Sequence, residues 1–364
     1  MSTRVRPNVL RMQPYIPGKP VDEVKRELGL DSVVKLASNE NPLGPSPLAV
    51  AAVQEAAQRM HVYPDGSAHA VRVKLAEKYG LATNQILLGN GSDELIHLLG
   101  LIYLEKGDEM VVADPTFVRY EAAAHLAEAT LVQVPLDTDL RHNLEAMSAA
   151  VTPRTKLVYV ANPHNPTGTV VGREAFETFL DSLPPTCTCV LDEAYFEYGP
   201  GSPDGADYVN QGRNVVVLRT FSKAYGLAGI RIGYGFASAE VVDAVDRARE
   251  PFDVNALAQA AAVAALDDTE HLEKSRAVNT EGLARITALA AKHGWQSVPS
   301  YANFICIDTG QPAQPLFDAL LRQGVIVRAG GPLGLPTYLR ISVGSPAEID
   351  RLEAALDHIG TVTV

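Results

Sequence analysis

The chain has 364 residues. That is room for one large domain or two moderate ones, at roughly 100–200 residues per domain. Hydrophobic residues make up 46% and charged residues 20%, which allows a sizeable core and excludes a disordered chain. The formal net charge of -12 repels phosphate backbones and sets nucleic acid aside as a partner, while leaving room for a locally basic pocket that holds a small anion.

Residues 1–30 read as an N-terminal arm, with two proline turns followed by a short amphipathic stretch over 21–30. Strand-like and helix-like segments then alternate. QILLGNG (85–91) is a strand running into a glycine turn, and DELIHLLGLIYL (93–104) follows with helical spacing. EMVVADP (109–115) reads as a strand and the segment after it, from Phe117, as a helix. ATLVQVPL, TKLVYVANP, TCVLDEAY and NVVVLRTFS each carry a short continuous apolar core rich in β-branched residues. Buried parallel strands have this character, because both of their faces are covered. Strands separated by helical patterns imply βαβ units.

The texture changes after about residue 240. Ala-rich helical stretches over 240–268 and 270–293 precede a strand at NFICIDT (303–309), a helix, a short strand at GVIVRAG (324–330), LRISVG (339–344) and a final amphipathic helix. The expected architecture is α/β: a large domain over 31–245 with a mostly parallel central sheet flanked by helices, and a smaller α+β domain over 246–364.

Cys187, Cys189 and Cys306 are the only cysteines. Their spacing completes no zinc set, so they read as buried free thiols. The N-terminal segment has no apolar signal core, and no apolar run reaches the ~20 residues needed to span a bilayer. The cytoplasm is the expected location.

The informative polar residues follow the strands. In open α/β sheets ligands bind outside the carboxyl ends of the strands. In GNGSDE (89–94), Gly91 lets the backbone approach a ligand, and Ser92 and Asp93 open a helix whose free N–H groups favour a phosphate; a helix cap after a turn reads equally well. In ANPHNPTG (161–168), Asn165 lies between two prolines and could offer a fixed side-chain donor or be part of a simple turn cluster. In VLDEAY (190–195), Asp192 directly follows a buried strand, where a carboxylate is costly unless paired. Its partner could be a protonated pyridine nitrogen or an arginine, and Tyr195 can reach the same space. In TFSKAYGLAGIRIGY (220–234), Lys223 sits in a hydroxyl-flanked, glycine-rich turn. Burial and cationic neighbours there would make its amine nucleophilic, against the alternative of a solvated loop lysine. Arg231 supplies a guanidinium suited to a phosphate. Late in the chain, Arg328 and Arg340 sit in or beside β-like runs with no acidic neighbour in sequence, which suggests recognition of an anionic substrate or else structural ion pairs.

The ordered set of these segments resembles the fold-type I pyridoxal-phosphate enzymes. Within them, the chain is most similar to the histidinol-phosphate aminotransferase family. The features that carry this are LASNENPLGP (36–45), YPDG (63–66), NPHNPTG, DEAYFEY, TFSKAYGLAGIRIGY and VIVRAGGPLGLPTYLRISVG. The resemblance implies pyridoxal 5'-phosphate as cofactor, with Lys223 as its Schiff-base lysine and proton shuttle. Asp192 would pair with the ring nitrogen, and Asn165 and Tyr195 with the phenolic oxygen. Gly91, Ser92, Asp93, Thr220, Ser222 and Arg231 would cradle the phosphate, and Phe117 would stack on the ring. Tyr63 would reach the cofactor phosphate of a neighbouring subunit, which implies a homodimer with shared sites. Tyr15, Asn39, Asn165, Arg328 and Arg340 would line the substrate pocket. The implied reaction is ping-pong transamination between histidinol phosphate and 2-oxoglutarate in histidine biosynthesis. Three other readings share the fold: an aromatic amino acid aminotransferase, a threonine-phosphate decarboxylase-like lyase, and a non-catalytic binding protein. Retention of both Lys223 and Asp192 speaks against the last.

Overall fold

The computed structural model describes residues 4–12, 14, 19–199 and 202–362. Thirteen strands lie among them: β1 (Val34–Lys35), β2 (Ile86–Gly89), β3 (Glu109–Asp114), β4 (Thr130–Pro135), β5 (Thr155–Ala161), β6 (Thr188–Asp192), β7 (Val215–Thr220), β8 (Gly233–Phe236), β9 (Gln296–Ser297), β10 (Phe304–Asp308), β11 (Val325–Ile326), β12 (Arg328–Ala329) and β13 (Tyr338–Ser342).

The main sheet has seven strands in the order β2-β8-β7-β6-β5-β3-β4. Neighbours from β7 through β4 pair in parallel, whereas β8 runs antiparallel to both β7 and β2. The continuous apolar runs expected of parallel strands are buried on both faces. Along β5, Val158 and Val160 face one core while Leu157 and Tyr159 face the other. Along β7, Val215 and Val217 alternate in the same way with Val216 and Leu218. Side chains alternate across a strand, so where both faces are covered the apolar residues follow one another without a polar alternation.

One face is covered by helices Ser92–Tyr103, Val118–Leu126 and Ala239–Ala248, which contribute Leu95, Ile96, Leu99, Tyr120, Ala124, Val242 and Val245. The opposite face takes Val71 and Leu75 from His69–Tyr79 and Phe176, Phe179 and Leu180 from Arg173–Ser182. Ala258, Ala261, Ala262 and Ala265 of helix Ala256–Asp267 pack in that core too. This helix lies in the stretch expected on the small-domain side. Its small side chains let it approach Pro47–Ala56 closely, and that holds it to the main sheet. The Ala-rich run read as one helix is two, Ala239–Ala248 and Ala256–Asp267, separated by a turn that contains Pro251, which cannot continue a helix.

A second sheet, β12-β13-β10-β9, is antiparallel throughout. It packs with the long helix Thr269–Lys292 and the C-terminal helix Pro346–Val362 through Ile286, Leu289, Ile305, Ile307, Leu339, Ile341, Ile349 and Leu352. Leu36 belongs to this core, and β1 pairs in parallel with β11. The segment after the arm is therefore stitched into the C-terminal layer before the chain enters the main sheet. GVIVRAG, expected as one strand, is divided: β11 joins β1, and β12 joins β13 in the four-stranded sheet. All three cysteines are buried and free. Among the described residues no helix is long and apolar enough to cross a membrane, and no cluster of side chains could hold a metal ion.

Candidate active site

The carboxyl ends of β3, β5, β6 and β7 open onto one cleft of about 280 Å³. Each of these strands delivers residues there: the aromatic Phe117 after β3, and the polar Asn165 after β5, Asp192 at the end of β6, and Thr220, Ser222 and Lys223 from β7 onward. The start of helix Ser92–Tyr103 adds Ser92 and Asp93. β8 is antiparallel, so its amino end lies at the same rim as the carboxyl ends of the others. Arg231, two residues before β8, reaches the cleft for that reason. Asn39, Arg328 and Arg340 close the opposite side from the C-terminal layer.

Asp192 is buried in this floor. Its Oδ2 accepts from the Tyr120 hydroxyl at 2.6 Å and its Oδ1 from the Ala194 amide at 3.1 Å. Burial pushes its carboxyl up to about 6, against the lowering effect of the Tyr120 hydrogen bond. A carboxylate held so close to neutrality is stabilised by any cation brought to it. Lys223 stands at the other end of the floor, its Nζ 5.7 Å from the centre of the Tyr195 ring.

Tyr195 is placed by two amides. Its hydroxyl oxygen accepts from Asn39 Nδ2 at 2.9 Å and from Asn165 Nδ2 at 3.4 Å. With both acceptor positions engaged, the hydroxyl proton is left to donate. Burial raises the Tyr195 pKa, which keeps that proton in place. Asn39 has a positive φ of 56°. It is held by Ser342, whose Oγ accepts from the Asn39 amide at 2.9 Å and donates to Oδ1 at 2.8 Å. Arg340 donates from Nη1 to Asn165 Oδ1 at 2.8 Å and from Nη2 to the Ala37 carbonyl at 3.1 Å. Arg328 and Arg340 are direct partners across β12 and β13, so two guanidinium groups 12 residues apart in sequence stand side by side.

The anion end is built from backbone and Arg231. Gly91 caps the helix at φ 88°. A Cβ there would lie 2.4 Å from Arg231 Nη2, so only glycine lets the guanidinium lie against the helix start. Arg231 itself has a positive φ of 61°, a strain worth roughly 1–3 kcal/mol that surrounding structure must enforce. Its Nη1 donates to the Ala228 carbonyl at 3.2 Å and to Ser222 Oγ at 3.5 Å, and Nη2 lies 3.6 Å from Asp93. Thr220 Oγ1 accepts from the Ser222 amide at 3.1 Å. The first-turn amides of Ser92–Tyr103 have no intrahelical acceptors, and together with the helix dipole and Arg231 they form an anion site.

Two expected residues fall elsewhere, and a third is not among those described. Gly91 backs the cleft without lining it. Tyr63 is 79% exposed, stacked on Phe252 at 4.7 Å, outside the cleft of a single chain. Tyr15 lies outside the described residues. His164, to which the sequence attached no role, is buried behind Asn165 with its Nδ1 2.9 Å from Thr167 Oγ1 and its ring edge-on to His142; burial drives its pKa down. Tyr120 and Ser342 were not apparent from sequence. Tyr120 lies three residues after Phe117, on the same helical face, and that spacing is the local signal that could have found it.

A mostly parallel sheet whose strand ends converge on one lysine, one buried carboxylate and an anion-binding helix start defines a fold-type I pyridoxal-phosphate enzyme. The chain belongs to the aminotransferase class I and II family, whose model matches residues 31–356. It is 49% identical over 359 residues to the histidinol-phosphate aminotransferase of Moorella thermoacetica, covering 98% of this chain and 93% of that protein. It is 48% identical to the histidinol-phosphate aminotransferase of Symbiobacterium thermophilum, with 97% and 98% covered. Among solved structures it is similar to histidinol-phosphate aminotransferase from Sinorhizobium meliloti in complex with pyridoxal-5'-phosphate. There the TM-score is 0.92 at 32% identity, with 100% of this chain and 99% of that one covered.

Proposed function

We propose that this protein is a pyridoxal-phosphate-dependent aminotransferase that exchanges the amino group between histidinol phosphate and 2-oxoglutarate. The observation that carries the reading is the meeting of Lys223, Asp192, Arg231, Arg328 and Arg340 around a single cleft. The names of the similar proteins support the substrate.

The residues fit the cofactor on their own chemistry. The raised, buried Asp192 carboxyl suits a protonated ring nitrogen. The Tyr195 hydroxyl, with its proton left to donate, suits a phenolic oxygen beside Asn165. The Ser92 and Asp93 amides with Thr220, Ser222 and Arg231 suit a phosphate, and Phe117 offers a ring face. When bound, pyridoxal phosphate supplies an electron sink for charge developed at the amino acid's Cα. Asp192 holds a proton at the far end of that sink. The Lys223 amine takes the Cα proton and returns it on the other side of the transfer, acting as general base and then general acid. Arg340, fixed by Asn165, and its neighbour Arg328 meet the anionic groups of two substrates in turn: the phosphate of histidinol phosphate and the carboxylates of glutamate. Both substrates are anions, so one arginine pair serves both halves of a ping-pong reaction.

A homodimer completes the reading. Met60, Val62, Tyr63 and Phe252 present an exposed apolar cluster, and solvent-facing aromatic surface of this kind suits a second copy. Tyr63 then serves the partner's anion site. A cytoplasmic setting accords with free buried thiols.

The test compares turnover of histidinol phosphate and phenylalanine with 2-oxoglutarate as acceptor. Histidinol phosphate is expected to be the faster substrate, and faster phenylalanine turnover overturns the assignment. Lys223→Ala is expected to abolish transamination and the visible absorbance that borohydride locks onto the protein. Intact transamination in that variant overturns the cofactor reading.

A further inference from the structure

We infer that Tyr120 is a positioning residue for the cofactor, holding the Asp192 carboxylate in the orientation and charge state that binds the ring nitrogen. The inference rests on the pyridoxal-phosphate reading above.

Tyr120 is 1% exposed, and its hydroxyl donates to Asp192 Oδ2 at 2.6 Å, a distance typical of a charge-assisted hydrogen bond. The Ala194 amide engages the other oxygen from the chain's own turn. The two donors together stop the carboxyl rotating about its Cβ–Cγ bond. The Tyr120 ring is in turn fixed from two sides. It stacks on Tyr159 of β5 at 4.4 Å with an interplanar angle of 27°, and it meets the Phe117 ring edge-on at 5.7 Å and 84°. One side chain therefore backs the aromatic wall of the cleft and orients the carboxylate at its floor. Phe117 and Tyr120 share a helical turn, so this support reaches the site through the start of one helix.

The hydrogen bond also bears on charge. The groups that act on Asp192 are Tyr120 and Tyr159 on one side, Tyr195 from its own turn, Asp93 from the helix start and Lys223 after β7. Desolvation and Asp93 favour the neutral carboxyl, whereas Tyr120, Ala194 and Lys223 favour the ionised one. Tyr120 is the largest of the stabilising contributions. Removing its hydroxyl raises the Asp192 pKa. A ring nitrogen is then met by a carboxyl that stays protonated to higher pH.

The experiment measures the dissociation constant of pyridoxal phosphate from the full chain across pH 5 to 9, for the unmodified protein, Tyr120→Phe, and protein carrying 3-fluorotyrosine at position 120. Phenylalanine keeps the ring contacts and removes only the donor; fluorotyrosine makes the donor stronger. A hydrogen bond to a charged group implies roughly ten- to hundredfold weaker cofactor binding in Tyr120→Phe near neutral pH. Its affinity is expected to fall away at a higher pH than in the unmodified protein. The fluorotyrosine protein is expected to shift the same midpoint to lower pH. A purely structural role moves neither midpoint. If neither shifts, or both shift in the same direction, the inference is overturned. Should Tyr120→Phe not fold, the sign of the fluorotyrosine shift alone decides. Failure of the unmodified protein to bind pyridoxal phosphate would instead refute the reading on which the inference rests.

Discussion

Asp192 and Thr220 are held from behind by an ion cluster that can be broken one partner at a time. Glu193 and Arg219 are both fully buried. Arg219 donates from Nε to Glu193 Oε2 at 2.8 Å, while its Nη2 lies 2.7 Å from both Glu193 and Asp204. The guanidinium also lies 3.5 Å from the centre of the Phe196 ring, and Glu193 Oε1 accepts from the Gly205 amide at 2.9 Å. Burial pushes the Glu193 carboxyl up to about 7 even beside Arg219. Little net stability is therefore gained from the pair itself; the damage lies in leaving one member behind. Replacing Glu193 by alanine strands a buried guanidinium, which costs about 3–5 kcal/mol. Asp204 remains on Nη2, so the lower end, about 3 kcal/mol, is expected. Replacing both residues, as Glu193→Leu with Arg219→Met, removes the stranded charge and keeps apolar volume against Phe196. Urea unfolding followed by far-ultraviolet circular dichroism measures Glu193→Ala, the double variant, and its two constituent singles, Glu193→Leu and Arg219→Met. The double variant should be less destabilised than the sum of its two singles by more than about 1 kcal/mol, the signature of directly coupled residues. A loss under about 1 kcal/mol for Glu193→Ala, or strict additivity, refutes the reasoning.

Gly233→Ala places a Cβ 2.3 Å from the Ser92 amide and 2.4 Å from the Gly91 carbonyl carbon. It is expected to weaken pyridoxal phosphate binding through the displaced helix start, as read by cofactor titration; unchanged affinity would show that this contact does not shape the anion site. Arg340→Ala removes a guanidinium bonded to Asn165 and Ala37. It should lower kcat/KM for both anionic substrates about ten- to hundredfold, the range for a lost hydrogen bond to a charged group. Cofactor affinity should change far less, and steady-state kinetics set beside cofactor titration separates the two effects.

Much of the fold is written in short-range pattern. β5, β6 and β7 were legible because each is an unbroken apolar run ended by a polar residue, and that pattern has one common solution, a covered parallel strand. Asp192 was legible because it breaks such a run at its carboxyl end, and Asn165 and Lys223 because they stand in the proline- and glycine-rich turns that follow. β8 was hidden. Its sequence, GYGF, has two glycines in four residues and reads as a continuation of the preceding turn; it becomes a strand because Gly235 lets it lie against the Val217 carbonyl of β7 and Gly233 leaves room for the Gly91–Ser92 helix start.

What the sequence determined by itself was the class of chemistry: which residue types stand at strand ends, and in what order. Periodicity and turn composition act over a few residues, and so do the desolvation costs that make a lysine or a carboxylate conspicuous after a buried strand. The tertiary structure decided which of those residues meet. Arg231 enters the cleft because β8 runs antiparallel to its neighbours. Arg328 and Arg340 stand together because β12 pairs with β13 in register. Tyr120 holds Asp192 across 72 positions of chain, and Asn39 reaches Tyr195 across 156. Strand order and register set such contacts through burial and hydrogen bonding summed over the whole sheet, and no local stretch of sequence carries that sum.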